Sequence, residues 1–522
     1  MTLGLRRHTA GNRSSVEGDR PDTTADDETV VDQDQGNVLS HIISQLRPGA
    51  DLSRVTLPTF ILEPRSMLER ITNFMAHPEV LLTLPTIDDP VERFVAVTKF
   101  YLSGWHIKPP GVKKPLNPIL GETFTGYWDY PDNTRGYYIS EQTSHHPPKS
   151  SYFFMAPEHH IRVDGTLKPR SRFLGNSVGS FMEGIAVMRL LNRNERYFIT
   201  QPNMYARGIL FGKMKYELGD HAYVRCPELG LEAEIDFKVK GWMTGTYNAI
   251  GGHIKDTKSG KNLFEFSGYW DKEMYIKNLT TGKKELIFDA THAKPSYPKA
   301  RPLEEQGDRE SQRLWDKVTK AIKVADQKTA TDEKSAIEDR QRAEAAERGE
   351  SEWQPKLFRR TRAGASQGPG DLDGEENLDW VIDATIDGKT PDEIVKQVLA
   401  IAPILPGQKA QAKSQPQPQA QPRREAASVG PAPAVAPQPQ QIQQAQPAQK
   451  MQPPQQYQPS PSAGSSNLVD FGHAGGVAPS QPTQQKTSPL NTMSDLKEPL
   501  QPVIHRQDSV EGFDEEFHDA DS

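Results

Sequence analysis

Glu141-Gln142-Thr143-Ser144-His145-His146-Pro147-Pro148 is the stretch from which the rest of the chain can be read. Gly136-Tyr137-Tyr138-Ile139-Ser140, just before it, is aromatic and β-branched and reads as a strand. The two prolines stiffen the backbone where the strand ends, pushing the residue before each toward an extended conformation. Two imidazoles therefore emerge from a rigid platform. Each can donate hydrogen bonds and take a proton beside an anion, which suits a phosphate group better than a neutral ligand. The alternative is that paired histidines are merely solvated or core residues. A metal site has less support, because Cys226 is the sole cysteine and no Cys/His/carboxylate set stands nearby at ligand spacing. His159-His160 is a second tandem pair without the proline clamp, and we assign it no function.

Composition limits the possibilities. The chain has 522 residues and a formal charge of −7, with basic residues dispersed, which argues against a nucleic-acid binder. No window approaches the roughly 18 apolar residues that a membrane span needs, and residues 1–35 lack a signal-peptide pattern. One cysteine fits a reducing compartment. Residues 1–36, acidic and without periodicity, read as disordered. From about 95 to 295 short strand-like runs recur, including 197–200, 222–226, 232–239 and 262–270, punctuated by Gly and Pro. That pattern predicts a large antiparallel barrel or sandwich. Helical periodicity appears at Val38, Leu39, Ile42, Ile43 and Leu46, and again in the charged stretch Glu305–Gly349. In that stretch Lys334, Glu338 and Arg342 recur every four residues, and the spacing predicts one shared face, either as solvated ion pairs or as a ligand-facing set.

The octet resembles the fingerprint of the oxysterol-binding protein family, cytosolic carriers of sterols and phospholipids. Lys113-Lys114-Pro115-Leu116-Asn117-Pro118-Ile119-Leu120-Gly121-Glu122 is similar to the family's second signature, and Ser171–Ser177 and the helical segment after Trp315 continue the match. The resemblance implies a β-rich α+β fold: a large incomplete antiparallel β-barrel around a lipid tunnel, with an N-terminal lid and C-terminal helices. It places the lipid-binding domain at 37–362, with the lid at about 37–66. It implies that His145 and His146 bind the 4-phosphate of phosphatidylinositol 4-phosphate, with Lys334, Glu338 and Arg342 completing the pocket. Lys114 and Asn117 would take the glycerol-linked phosphate. Leu57–Arg70 resembles the lid region of the fungal short subgroup that carries phosphatidylserine, and points to Leu57, Thr59 and Ser171 as contacts for that lipid. Sterol is the alternative cargo, and a lipid sensor that recruits partners without net transport is the alternative role.

Function would then be lipid exchange without catalysis, cofactor or metal, between the endoplasmic reticulum and another membrane such as the plasma membrane. The enzyme reading lacks a paired nucleophile or ligand set. Residues 363–407 form a short acidic and helical segment, in which Ile394, Val395, Val398 and Leu399 make an apolar stripe for a partner or for packing back on the carrier domain. Residues 408–522 read as a disordered Gln/Pro-rich tether. The last twelve residues hold six acids and no Lys or Arg. There Glu516, Phe517, Asp519 and Ala520 resemble the FFAT motif that docks on VAP-type receptors of the endoplasmic reticulum, with His518 in place of the second aromatic.

Overall fold

A computed structural model of the chain describes residues 28–30, 41–42, 46–52, 58–209, 213–241, 245–361 and 378–409. Leu57 and the tail residues Glu516, Phe517, Asp519 and Ala520 lie outside these residues, as do most of 1–36 and 408–522.

Tyrosine and phenylalanine alternation builds the sheet. In the strand Arg135–Ser144, Tyr138 turns to the inner core while Tyr137 and Ile139 turn outward. Its neighbour Lys149–Ala156 answers in register, Tyr138 opposite Phe154 and Ile139 opposite Phe153. Both faces are apolar, so both must be covered.

After a short strand, Glu28–Val30, which pairs with Lys213–Lys215 and so departs from the disorder expected of 1–36, the strands in chain order are β1 (Leu62–Ser66), β2 (Lys114–Leu116), β3 (Thr123–Asp129), β4 (Arg135–Ser144), β5 (Lys149–Ala156), β6 (Ile161–Leu167), β7 (Pro169–Phe173), β8 (Ser177–Met182) and β9 (Ile185–Leu190). They continue with β10 (Glu195–Ile199), β11 (Asn203–Arg207), β12 (Lys213–Cys226), β13 (Leu231–Lys238), β14 (Ala249–Asp256), β15 (Asn262–Tyr269), β16 (Glu273–Asn278) and β17 (Lys284–Asp289). The main sheet runs β17-β16-β15-β14-β13-β12-β10-β9-β6-β5-β4-β3, and β7, β8 and β11 branch from β12. Its end strands, β3 and β17, do not pair with each other, so the barrel is incomplete. β12 is longer than its sequence pattern predicts because its first half pairs with β11 and its second with β10 and β13. The change of partner falls at Gly219-Asp220, where Asp220 has φ 69° and the polar alternation breaks.

The inner face is covered largely by the chain's own helical insert, 67–105. Its longest helix, α1 (Pro90–Ser103), is capped by Asp89, whose carboxylate accepts the Val91 and Glu92 N–H groups. Phe94 meets Tyr197 at 6.1 Å between ring centroids, and Trp105 meets Phe237 at 5.7 Å. Arg93 and Glu195 pair inside this packing. The C-terminal charged stretch is two main helices rather than one, α2 (Asp316–Lys323) and α3 (Gln327–Arg348), separated at Ala325 in left-handed geometry.

The outer face is covered by the C-terminal segment. β18 (Phe358–Arg360) pairs with β19 (Trp380–Ile382), and α4 (Pro391–Leu399) starts on a Thr390/Glu393 capping box. Trp380, Ile382, Val398 and Ile404 are buried against Tyr137, Ile139, Phe153 and Met155. Of the two roles open to the 394–399 stripe, the structure displays packing back. Asp379 clasps both Lys149 (2.7 Å) and Lys168 (2.8 Å). Trp380→Ala should therefore destabilise the whole domain by about 3–5 kcal/mol, read as a lower urea midpoint. An unchanged midpoint would mean that 378–409 lies outside the cooperative unit.

Candidate functional site

His145–Pro148 is the turn between β4 and β5, and the residues before it are spent on bracing. Gln142 donates to the Ser144 carbonyl (2.9 Å) and accepts from Ser150 Oγ (2.6 Å). Thr143 and Ser151 share a hydroxyl bond of 2.9 Å, and Ser144 Oγ donates to the Pro147 carbonyl (2.7 Å). Fully buried Glu141 accepts the backbone N–H groups of Lys356 and Leu357, each at 2.8 Å, so the C-terminal segment helps fix the turn. The two imidazoles, 4.5 Å apart between ring centroids, are left to line a cavity of about 250 Å³.

Lys114, at the start of β2, and Asn117 line the same cavity. Burial depresses the Lys114 pKa, neighbouring Lys334 depresses it further, and Asp51 and Glu338 partly offset both. Lys334 is itself buried and donates to Glu338 Oε1 at 2.5 Å. Gln341 links this helix to both signatures: Oε1 accepts the Leu120 N–H at 2.7 Å, and Nε2 lies 2.7 Å from His145 Nε2. Gly121 allows the approach, because at its φ of +73° a Cβ would fall 2.3 Å from the Trp353 ring.

Burial, then the neighbouring His146, push the His145 pKa down to about 4. The ring is therefore neutral at pH 7, consistent with a Gln341 N–H donating to its Nε2 lone pair. His145 Nδ1 is buried without a hydrogen bond of good geometry, although the Pro118 carbonyl is placed to favour the protonated ring. An anion entering here would favour the charged form.

His145, His146, Lys114 and Asn117 thus meet on one cavity, with Lys334 and Glu338 beside Lys114. Arg342 does not share their face: its side chain is 65 % exposed and pairs with Asp339. The reason is angular drift. At 100° per residue Arg342 lies about 80° around the helix from Lys334, whereas Gln341 lies about 20° away. That offset of seven was the signal for Gln341, which the four-residue spacing bypassed. Glu122, Glu141 and Arg70 were also missed as individual residues. Arg70 lines the cavity while paired with Glu63.

The lid region is described in part. Ile42, Leu46 and Leu52 line the cavity. Residues 49–52 lie along β7: the Phe173 carbonyl accepts the Gly49 N–H (2.7 Å) and the Ser171 carbonyl accepts the Leu52 N–H (3.0 Å). Ser171 also lines the cavity. Thr59 is buried outside the lining, its hydroxyl donating to Gln327 Oε1 at 2.6 Å on α3. Among the described residues, no group of three or more His, Cys, Asp or Glu side chains is placed to hold a metal ion. What the geometry offers is a cationic and hydrogen-bonding mouth on an apolar cavity, suited to an amphiphile with an anionic head.

Comparison with known proteins agrees. Residues 41–323 match the oxysterol-binding protein family. Oxysterol-binding protein homolog 6 of Saccharomyces cerevisiae is 48% identical over 427 residues, covering 78% of this chain and 92% of that protein. The Osh1 ORD domain solved in complex with cholesterol is similar in fold, with a TM-score of 0.55 at 22% identity over 69% of this chain and 88% of that one. The Osh3 ORD of S. cerevisiae in complex with PI(4)P matches with a TM-score of 0.50 at 22% identity, covering 69% of this chain and 92% of that one. Both signature loops, the incomplete barrel and the coverage of these matches lead to one conclusion: the chain belongs to the oxysterol-binding protein family.

Proposed function

We propose that this protein is a lipid-transfer protein that exchanges phosphatidylserine for phosphatidylinositol 4-phosphate between the endoplasmic reticulum and another membrane, such as the plasma membrane. The observation that carries the reading is the meeting of His145, His146, Lys114 and Asn117 at one apolar cavity. His145 and His146 hold the 4-phosphate. Lys334 and Glu338 support the head group. Lys114 and Asn117 hold the glycerol-linked phosphate. The acyl chains occupy the cavity, where each buried methylene contributes roughly 0.8 kcal/mol. One cavity serving both lipids couples their transport by competition. The bound PI(4)P of the Osh3 ORD supports the phosphoinositide half.

For phosphatidylserine, the lid with Leu57 and Thr59 closes on the serine head, and Ser171 faces it across the cavity. The Thr59 hydroxyl would contribute after exchanging its bond to Gln327. Sterol is the second reading. Tyr101 Oη and Trp105 Nε1 are buried without a well-formed hydrogen bond and could receive a lipid hydroxyl, and the Osh1 ORD holds cholesterol. The acidic tail anchors the carrier on a VAP-type receptor through Glu516, Phe517, Asp519 and Ala520, while the rest of the protein visits membranes peripherally.

Transfer between liposomes carrying separate reporters for the two phospholipids and ergosterol is the direct test. With His145→Ala and His146→Ala combined, phosphoinositide extraction should fall by about a hundredfold or more, since two charge-assisted bonds are lost. One-way phosphatidylserine transfer should remain measurable. Equal loss of both cargoes in a folded variant would refute the assignment.

Proton linkage gives a second check. Burial and then His146 hold the His145 pKa down at about 4, and a bound phosphate raises that value, so binding at neutral pH takes up a proton. Phosphoinositide affinity should rise as pH falls from about 8 toward the phosphate's own second pKa of about 6, by at most about tenfold per unit. A flat profile would mean that His145 stays neutral in the complex. For the tail, a peptide of the last twelve residues should bind a VAP receptor domain weakly and with salt sensitivity, and Phe517→Ala should abolish binding. No binding at low salt would leave the tail without that role.

A further inference from the structure

Next to the first cavity lies a second one of about 40 Å³, lined by residues that include Phe100, Tyr152, Val163, Met188 and Ile199. The two cavities share two lining side chains, Phe74 and Gln201. Thr72, Asn73 and Met75, around Phe74 in sequence, are buried, whereas Phe74 itself keeps exposed area and borders both cavities. Its ring is held by two neighbours. Trp105 meets it edge-on at 5.0 Å and 80°, and a Cβ on Gly104 would come within 3.0 Å of it. Glycine at 104 therefore lets the ring seat against the backbone, and little room remains for it to turn away.

We propose that Phe74, with Gln201 beside it, is the chain-length stop of the lipid cavity, and that the cavity beyond it is a reserve subsite for the end of a longer acyl chain. The proposal rests on the reading that acyl chains fill the first cavity. The inner cavity suits a hydrocarbon: its lining is mostly aliphatic and aromatic, with polar atoms confined to Gln201 and the hydroxyls of Tyr101 and Tyr152. At about 10–15 Å³ for one water-sized sphere, it has room for about three methylene groups. A chain ending short of Phe74 gains affinity with every methylene added. One that reaches the ring must displace it or fold back, and the gain stops. Removing the ring joins the two spaces and moves the limit outward.

Straight-chain fatty alcohols of increasing length test this without a phosphate or serine head group, by displacing a fluorescent fatty acid from the full-length protein. For the unaltered protein, affinity should rise about fourfold per methylene and then level off at a definite length. In Phe74→Ala that break should move by about three methylenes or more, and in Phe74→Leu by less. A break that stays in place in both folded variants, or no break in the unaltered protein, would overturn the proposal. The same series as diacyl phosphatidylserine separates the two ideas. If the alcohol break moves but phosphatidylserine of no length is extracted, the stop stands and the phospholipid reading falls.

Discussion

The site depends on a carboxylate that never reaches water. Glu122, fully buried, accepts hydrogen bonds from Ser66 Oγ (2.5 Å), Ser311 Oγ (2.6 Å), Trp315 Nε1 (2.9 Å) and the Ile119 N–H (3.0 Å). These donors come from the end of β1, the second signature loop and the start of the C-terminal helical region. No cation is among them, and burial raises the carboxyl pKa against the pull of all four bonds. A buried group of this kind is tolerable only when its bonds are made together, so it ties three distant parts of the chain to one geometry. Lys114 and Asn117 sit within eight residues of Glu122 and inherit their placement from it.

A second carboxylate does the same for the histidines. Glu141 binds the backbone after α3, and Asp379 clasps Lys149 and Lys168 from the outer layer. The turn that bears His145 and His146 is therefore held from the strand side by hydroxyls and from outside by the C-terminal segment. Rigidity of this kind lowers the ordering cost of any ligand the turn receives.

Electrostatically the cavity is poised against itself. Burial and then the neighbouring Lys334 disfavour the Lys114 charge, and His145 is kept neutral by burial and by its neighbour. An anion would relieve the first conflict and reverse the second. The apolar side needs no such tuning, because contact area alone sets its contribution.

Much of this was legible along the chain. Short aromatic strands, the proline-stiffened histidine pair and the second signature are local patterns, governed by backbone preference and alternation, and they pointed to the incomplete barrel. Other features were not. Whether the 394–399 stripe served a partner or the domain itself depended on the outer face of β4 and β5, over two hundred residues away. Arg342 looked equivalent to Lys334 by spacing, yet rotation around α3 turned it to solvent and put Gln341 in its place. Glu122 read as one more residue of a motif, and Phe74 carried no signal in the sequence. Sequence by itself determined which residues could form strands, turns and a cationic loop, because those properties act over a few neighbours. Only the tertiary structure decided which of them share a cavity, because burial and hydrogen-bond satisfaction belong to segments that meet after folding.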